Sequence, residues 1–341
     1  MRLLIAFIIL FINYDFVSAQ QRPYYTQYVL NTFIINPAVA GIENYTDVKI
    51  SHRQQWTGID GAPVTNYITI QGPLHKSSDK RENPTSFHPA GENPRGEQYW
   101  NSYTATDPHA GVGLTILNDK TGPLNRFSLT AAYAYHLPLS QTISISGGIA
   151  AGFQNINLNT NKLYFGQGSG IDPAIAGKGV LHVWKGDISA GLWLYSTSFF
   201  AGVAAQNIVP EGFAFADDTI KKETGRLVPH LFFTAGYRFL LNDDINFLPS
   251  IMVKYLQPGI VSYDFNAKCQ YRDFLWVGAS YRYKDGYSAM LGLNISSSFN
   301  IGYAYDQTTS ELKPVAGGSH EILLGFLIGN RWGDWCPRNV W

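Results

Sequence analysis

The chain has 341 residues, with 25 Lys+Arg against 25 Asp+Glu, and only 15% of it is charged, below the roughly 25% of ordinary soluble domains. A formal charge of zero offers no basic surface to nucleic acid. Mean hydropathy is −0.10, and no run of about eighteen apolar residues follows the N-terminus, which excludes a helical membrane protein.

The first nineteen residues read as a secretory signal. Arg2 supplies the positive region, Leu3 to Ile12 the apolar core, and Val17-Ser18-Ala19 the small-residue cleavage site, so the mature chain begins at Gln20. No cysteine lies near the cut, which argues against a lipoprotein. Residues 20–44 follow, with Pro23-Tyr24-Tyr25-Thr26-Gln27-Tyr28, Asn31, Asn36-Pro37-Ala38 and Gly41. This stretch has no period of two, yet its apolar Tyr28, Phe33, Ile34 and Ile35 need cover. A latch or plug folded against a barrel lumen would supply it, and so would an ordinary N-terminal strap.

The barrel is expected over 45–329, and from about residue 109 to 329 one unit repeats: ten or eleven residues alternating apolar with small or polar ones, usually with a glycine near the middle, then a turn. Phe127, Leu129, Ala131, Tyr133, Tyr135 and Leu137 share one parity; Arg126, Ser128, Thr130, Ala132, Ala134 and His136 share the other. Such alternation makes a strand with one apolar and one polar face. Strands of this length and number, with aromatics near the ends of the apolar face, suit a closed sheet that spans a bilayer. Fourteen are expected: 45–55, 64–73, 109–118, 126–138, 142–155, 184–196, 198–208, 229–240, 245–255, 260–270, 274–283, 286–295, 298–307 and 319–329. The fold class is therefore all-β, a single transmembrane antiparallel barrel with an N-terminal latch segment and a short tail at 330–341.

Link lengths orient the barrel. Short links after strands 4, 6, 8, 10 and 12 alternate with longer ones at 156–183, 209–228 and 308–318, and short turns face the periplasm in such barrels. Residues 75–107 break the rule: a long polar stretch stands where a short turn belongs. It is expected to be an inserted periplasmic loop, the other reading being a strand count off by one hairpin.

Gly111, Gly191, Gly202, Gly236, Gly278, Gly292, Gly302 and Gly325 fall opposite the apolar face and should point inward. They allow tight curvature, or they make room for something inside. Asp187, Arg238, Lys254, Asp264 and Arg282 share that inward parity and would line a polar channel or cross-link a closed interior. His109, His136 and His230 also point inward, and His320 opens the last strand. No Gly-x-Ser-x-Gly, His-Glu-x-x-His or phosphate loop occurs, so no catalytic residue, metal ligand or cofactor is expected. Cys269 and Cys336 are the only cysteines; the sequence leaves open whether they pair.

Several boxes together resemble the PorP/SprF family of outer-membrane proteins. They are Gln27-Tyr28, the Asn36-Pro37-Ala38 box closed by Gly41, Arg53-Gln54-Gln55-Trp56, Gln71-Gly72-Pro73-Leu74, Gly111-Val112-Gly113-Leu114 and Asn118-Asp119-Lys120-Thr121-Gly122. Gly318-Ser319-His320-Glu321-Ile322 and the terminal Cys336-Pro337-Arg338-Asn339-Val340-Trp341 complete the set. The 75–107 insertion departs from the family pattern. The resemblance implies a non-enzymatic barrel of the type IX secretion and gliding motility machinery, in the bacterial outer membrane. Its implied partners are membrane lipid, periplasmic ring components of the PorK/GldK and PorN/GldN types, and a large secreted or surface adhesin. Within it Gln27, Tyr28, Asn36, Pro37, Ala38 and Gly41 become latch candidates. Cys336, Pro337, Arg338 and Trp341 become candidates for a periplasmic contact. The competing readings are a passive channel or transporter for small solutes and, far behind it, an outer-membrane enzyme.

Overall fold

A computed structural model describes residues 25–74, 105, 107–163, 179–209, 212–213, 225–226, 228–256, 259–272, 274–296, 298–310, 314 and 316–330. The signal sequence, nearly all of the 75–107 insertion, and residues 331–341 with Cys336, Pro337, Arg338 and Trp341 lie outside the described residues.

The long strands run β1 Thr46–Gln54, β2 Val64–Pro73, β3 His109–Thr121, β4 Leu124–Pro138, β5 Ser144–Asn159, β6 Val180–Tyr195 and β7 Phe199–Gln206. The second half is β8 His230–Tyr237, continued by Phe239–Asn242 past an interruption at Arg238, then β9 Ile245–Leu256, β10 Ile260–Tyr271, β11 Leu275–Arg282, β12 Gly286–Ser296, β13 Phe299–Thr308 and β14 Ser319–Ile328. Each strand pairs antiparallel with its neighbours in sequence. β14 returns to β1 in a register that runs from Thr46↔Ile328 to Gln54↔His320. The sheet is thus a closed up-and-down barrel of fourteen strands, which leaves no backbone edge along its closing seam.

The alternation sorts as read. On β4, Tyr133, Tyr135 and Leu137 are exposed outward, while Ala132, Ala134 and His136 are buried inside. Outward apolar side chains recur around the wall, among them Ile149, Leu192, Phe233, Val277, Leu291 and Ile322, and they supply the surface a bilayer requires.

Two connections differ from expectation. β3 and β4 extend until only Gly122 and Pro123 separate them, because Asn118 to Thr121 keep pairing with Leu124 to Phe127. β5 and β6 extend likewise, Asn159 pairing with Val180, so the long loop there shrinks to 160–179. The mouth that carries the connections after β1, β5, β7 and β13 is called here the long-loop end, and the other the short-turn end.

Candidate functional site

Residues 25–45 lie inside the barrel. Three short 3-10 turns, Thr26–Val29, Thr32–Ile34 and Pro37–Val39, carry the chain from the long-loop end, beside Arg53 and Glu321, to the short-turn end, beside Gln71 and His109. Tyr28, Val29, Leu30, Phe33, Ile34, Ile35, Val39 and Ile42 are each at most 8% exposed. Burial of such side chains stabilises by about 1.5–3 kcal/mol apiece. Their partners are inward apolar groups of the wall: Tyr67, Leu117, Phe232, Met252, Trp276, Met290 and Leu323 for one cluster, Trp193, Tyr195 and Phe200 for another.

The Asn-Pro-Ala-x-x-Gly box forms the anchor at the short-turn end. Asn36 caps its own turn, its Oδ1 accepting from the Ala38 nitrogen at 3.0 Å, and Pro37 occupies the first turn position, where a fixed φ costs nothing. The other half of the Asn36 amide donates to the carbonyls of Leu192 (3.0 Å) and Val203 (3.3 Å). Those carbonyls belong to neighbouring strands β6 and β7, so one side chain bridges a seam of the wall. Ser146 donates to the Ala38 carbonyl at 2.7 Å, and His136 Nε2 meets the Ala40 carbonyl at 2.9 Å. Gly41 donates to Gln71 Oε1 at 2.7 Å, and its carbonyl faces His109 Nε2 at 3.2 Å. The imidazoles of His109 and His136 lie parallel, their centroids 4.5 Å apart.

The inward glycines make room. A β-carbon on Gly148 would stand 2.5 Å from the Ala38 nitrogen, on Gly111 2.0 Å from the Ala40 carbonyl, and on Gly191 2.0 Å from Asn36 Oδ1. On Gly113 it would meet the Phe33 ring at 2.3 Å, and on Gly302 Gln27 Oε1 at 2.3 Å. Gly41 itself adopts φ +78° against Gly111, a left-handed conformation that suits glycine. Gly202, Gly236 and Gly292 instead admit the rings of Trp193, Phe200 and Trp276. Of the two roles open from sequence, close approach is the one these contacts display.

At the long-loop end the anchor is polar. Thr26 Oγ donates to Asp306 (2.7 and 2.9 Å to its two oxygens) and accepts from Arg53 at 2.6 Å and Arg282 at 2.8 Å. One donor and two lone pairs are thereby all used. The Thr26 amide donates to Glu321 at 2.8 Å, and Arg53 pairs with the same carboxylate at 3.0 Å. Arg282 also pairs with Asp306 at 3.1 Å, while Ser280 donates to Asp264 and Ser288 to Asp306. Gln27 donates through Nε2 to the Glu321 carbonyl at 2.9 Å, and Tyr28 meets Asn266 through its hydroxyl. Two buried guanidinium groups against three buried carboxylates make a network whose members each need the others. Above it a recess of about 410 Å³ opens, lined by Arg53, Trp56, Asp119, Arg282, Asp285 and Tyr287 among others.

The structure therefore gathers Gln27, Tyr28, Asn36, Pro37, Ala38 and Gly41 along one lumenal path. Asp264 and Arg282 join the charge network, and Asp187 instead borders a small gap between the segment and β3–β6. Arg238 sits at the short-turn end, donating to the carbonyls of Thr197 and Ser198, and Lys254 lies near the Phe232 ring. His230 accompanies them inside, whereas His320 lies outside against Tyr303. Among the described residues Cys269 has no disulfide partner, and Cys336 lies outside them. Sequence reasoning missed Thr26, Ser146, Gln206 and the inward aromatics. Gln206 donates to the carbonyls of Ile34 (3.0 Å) and Ile35 (2.8 Å). The available signal was the apolar residues on the wrong parity, such as Phe232 and Trp276.

The family described as type IX secretion system membrane protein PorP/SprF matches residues 17–326. No curated protein matches the chain. Solved structures with a similar shape include the Ralstonia pickettii toluene transporter TbuX (12% identity, 87% of this chain and 92% of that one, TM-score 0.46). The Acinetobacter baumannii outer membrane protein Omp33 is another (8%, 84% and 100%, TM-score 0.47), as is the Pseudomonas putida toluene transporter TodX (11%, 90% and 94%, TM-score 0.45). A closed barrel with an apolar outer wall, together with the family match, puts the chain in the bacterial outer membrane.

Proposed function

Because the chain belongs to the PorP/SprF family of type IX secretion system membrane proteins, we propose that it is a docking barrel. In this reading it holds a large surface adhesin or other secreted protein at the outer membrane and couples it to the periplasmic ring components of the apparatus. Its family is a secretion-system membrane family, not an enzyme family. Gln27, Tyr28 and the Asn36–Gly41 box act as the latch that keeps the lumen filled. Cys336, Pro337, Arg338 and Trp341 serve as the contact offered to the periplasmic ring, and residues 75–107 extend that periplasmic face.

One observation carries the reading beyond family membership. The lumenal segment is tied to opposite walls at both ends, through Thr26 at the long-loop end and the Asn36–Gly41 box at the other. A barrel stoppered this firmly is better suited to present surfaces to other proteins than to pass solutes.

Affinity isolation of the tagged barrel from native envelopes in mild detergent, with mass spectrometry of what accompanies it, tests the proposal. Recovery of ring components together with one large exported protein is the expected outcome. The barrel recovered alone, also after gentle cross-linking, would retire docking in favour of a free-standing channel.

A further inference from the structure

The recess at the long-loop mouth, about 410 Å³, is of a size that takes a small ligand. Arg53 lines it with a side chain only 3% exposed. Every side-chain bond that Arg53 makes among the described residues leaves from one nitrogen. Nη1 alone serves the Thr26 hydroxyl and the carboxylates of Asp306 and Glu321. Nε is buried without an acceptor, and Nη2 takes no part in these bonds. Together Nε and Nη2 form the guanidinium edge that donates to two oxygens side by side. A buried donor of this kind is costly to leave bare, so the edge calls for a pair of acceptors.

Charge decides what kind of acceptor fits. Around the recess Arg53 and Arg282 meet Asp119, Asp285 and Asp306, and the network below adds Asp264 and Glu321. Five carboxylates against two guanidinium groups repel a further anion. A cation would set its own donors against the bare edge of Arg53. A neutral ligand is left, one that offers two neighbouring oxygens to Arg53 and hydroxyl protons to a carboxylate. Asp285 can receive those protons, since its side chain is 45% exposed and its pairing with Arg282 is loose, at 3.5 Å. A peptide carbonyl brings one oxygen and no proton, whereas vicinal hydroxyls of a sugar ring bring two of each.

Trp56 is the remaining element. It lines the recess in a left-handed backbone conformation, φ +48°, which bulky residues rarely adopt. The Trp56 amide donates to Ser319 Oγ at 3.2 Å, and the Thr57 amide to the Gly318 carbonyl at 2.8 Å. The closing seam therefore holds the indole in a strained place, as ligand clamps do. An indole offers an apolar face and a polar edge, which suits the C–H face of a sugar.

We propose that this recess binds a neutral saccharide unit. Its vicinal hydroxyls accept from Arg53 Nε and Nη2 and donate to Asp285, with Trp56 against the ring. The site goes beyond the docking reading and does not depend on it. The same chemistry is carried by a free oligosaccharide and by the glycan of an outer-leaflet glycolipid, and the test separates the two.

Saturation-transfer NMR on the whole barrel in a sugar-free amine-oxide detergent is the measurement. The probes are maltose, cellobiose and mannobiose, a galacturonate dimer, a blocked neutral tetrapeptide, and lipooligosaccharide from the same envelopes with its delipidated glycan. At least one neutral disaccharide should bind, with half-saturation below about 1 mM. Arg53→Lys keeps the charge without the paired donors and should weaken it roughly tenfold. Trp56→Gly, which relieves the backbone, should weaken it about as much, and Asp285→Asn roughly threefold. Heat-modifiable migration checks that each variant folds; should Arg53→Lys fail to assemble, the other two decide. Released glycan that displaces the disaccharide names the glycolipid as source, and glycan that does not names a free saccharide; either supports the site. No binding of any neutral disaccharide, or binding that Trp56→Gly and Asp285→Asn leave intact, overturns it. Tighter binding of the galacturonate dimer or the tetrapeptide overturns the ligand class. Binding of intact lipooligosaccharide alone is recognition of acyl chains and counts against the site as well.

Discussion

The backbone nitrogen of Ala38 lies 2.5 Å from the point where a β-carbon on Gly148 would stand. Neither backbone can yield easily, since Ser146 on the same strand already holds the Ala38 carbonyl. Gly148→Ala should therefore loosen the box while the outer wall still forms. Limited proteolysis of residues 25–45 in refolded barrels checks it, with raised cleavage expected. Gly147→Ala is the control, because its β-carbon meets only Leu192 Cδ2, at an ordinary 3.6 Å.

Asn36 discriminates two ways of failing. Asn36→Ala loses the cap and the bridge to Leu192 and Val203. Asn36→Asp keeps an acceptor for the Ala38 nitrogen but turns a carboxylate oxygen toward two carbonyls. The aspartate variant is expected to be the more damaging, because a buried charge facing acceptors costs more than an absent bond. Single-channel recordings in planar bilayers report it: conductance rises in both variants and rises further in Asn36→Asp. Equal traces for the two would sink the bridging role.

Thr26 supplies a third test. Thr26→Val preserves shape while removing three contacts to charged groups, and about 2–3 kcal/mol of stability should go with them. Glu321→Ala leaves Arg53 short of a partner in the interior and should cost about 3–5 kcal/mol. Urea unfolding followed by heat-modifiability measures both. The double variant should cost less than the sum, since each removal already spoils the network that the other uses.

Orientation is testable in living cells. In a background with Cys269→Ser and Cys336→Ser, a membrane-impermeant maleimide should label Gly170→Cys and spare Ser86→Cys. The reverse pattern would turn the barrel over and with it the assignment of residues 75–107 to the periplasm.

The outer wall was legible in sequence because lipid demands an uninterrupted rule: Tyr133, Tyr135 and Leu137 go out, Ala132, Ala134 and His136 go in. The inner wall was not, because its occupant is protein. Phe232, Trp276 and Met290 sit on the parity that alternation assigns to water, and they pack against Tyr28, Leu30 and Ile35 instead. The Asn36 box drew notice as a pattern, but its partners at Leu192 and Val203 are main-chain carbonyls, which leave no mark on side-chain identity. Thr26 and Glu321 are separated by 295 positions, and no periodicity connects them. The strand extensions at Asp119–Thr121 and Ile156–Asn159 were also missed. At Asp119–Thr121 polar residues continue the ladder where hydropathy no longer marks a strand, whereas at Ile156–Asn159 the alternation of Ile156 and Leu158 with asparagines runs on past the expected strand end.

The last seam to close has a bearing on biogenesis. β1 emerges first from the ribosome and β14 last, and their pairing from Thr46↔Ile328 to Gln54↔His320 waits for the whole chain. Arg53 and Glu321 stand on those two strands and both grip Thr26. Closing the β1–β14 seam therefore brings Glu321 to the amide of Thr26 and to Arg53 in the same step, and completes a cage around the leading turn that Arg53, Arg282 and Asp306 already begin.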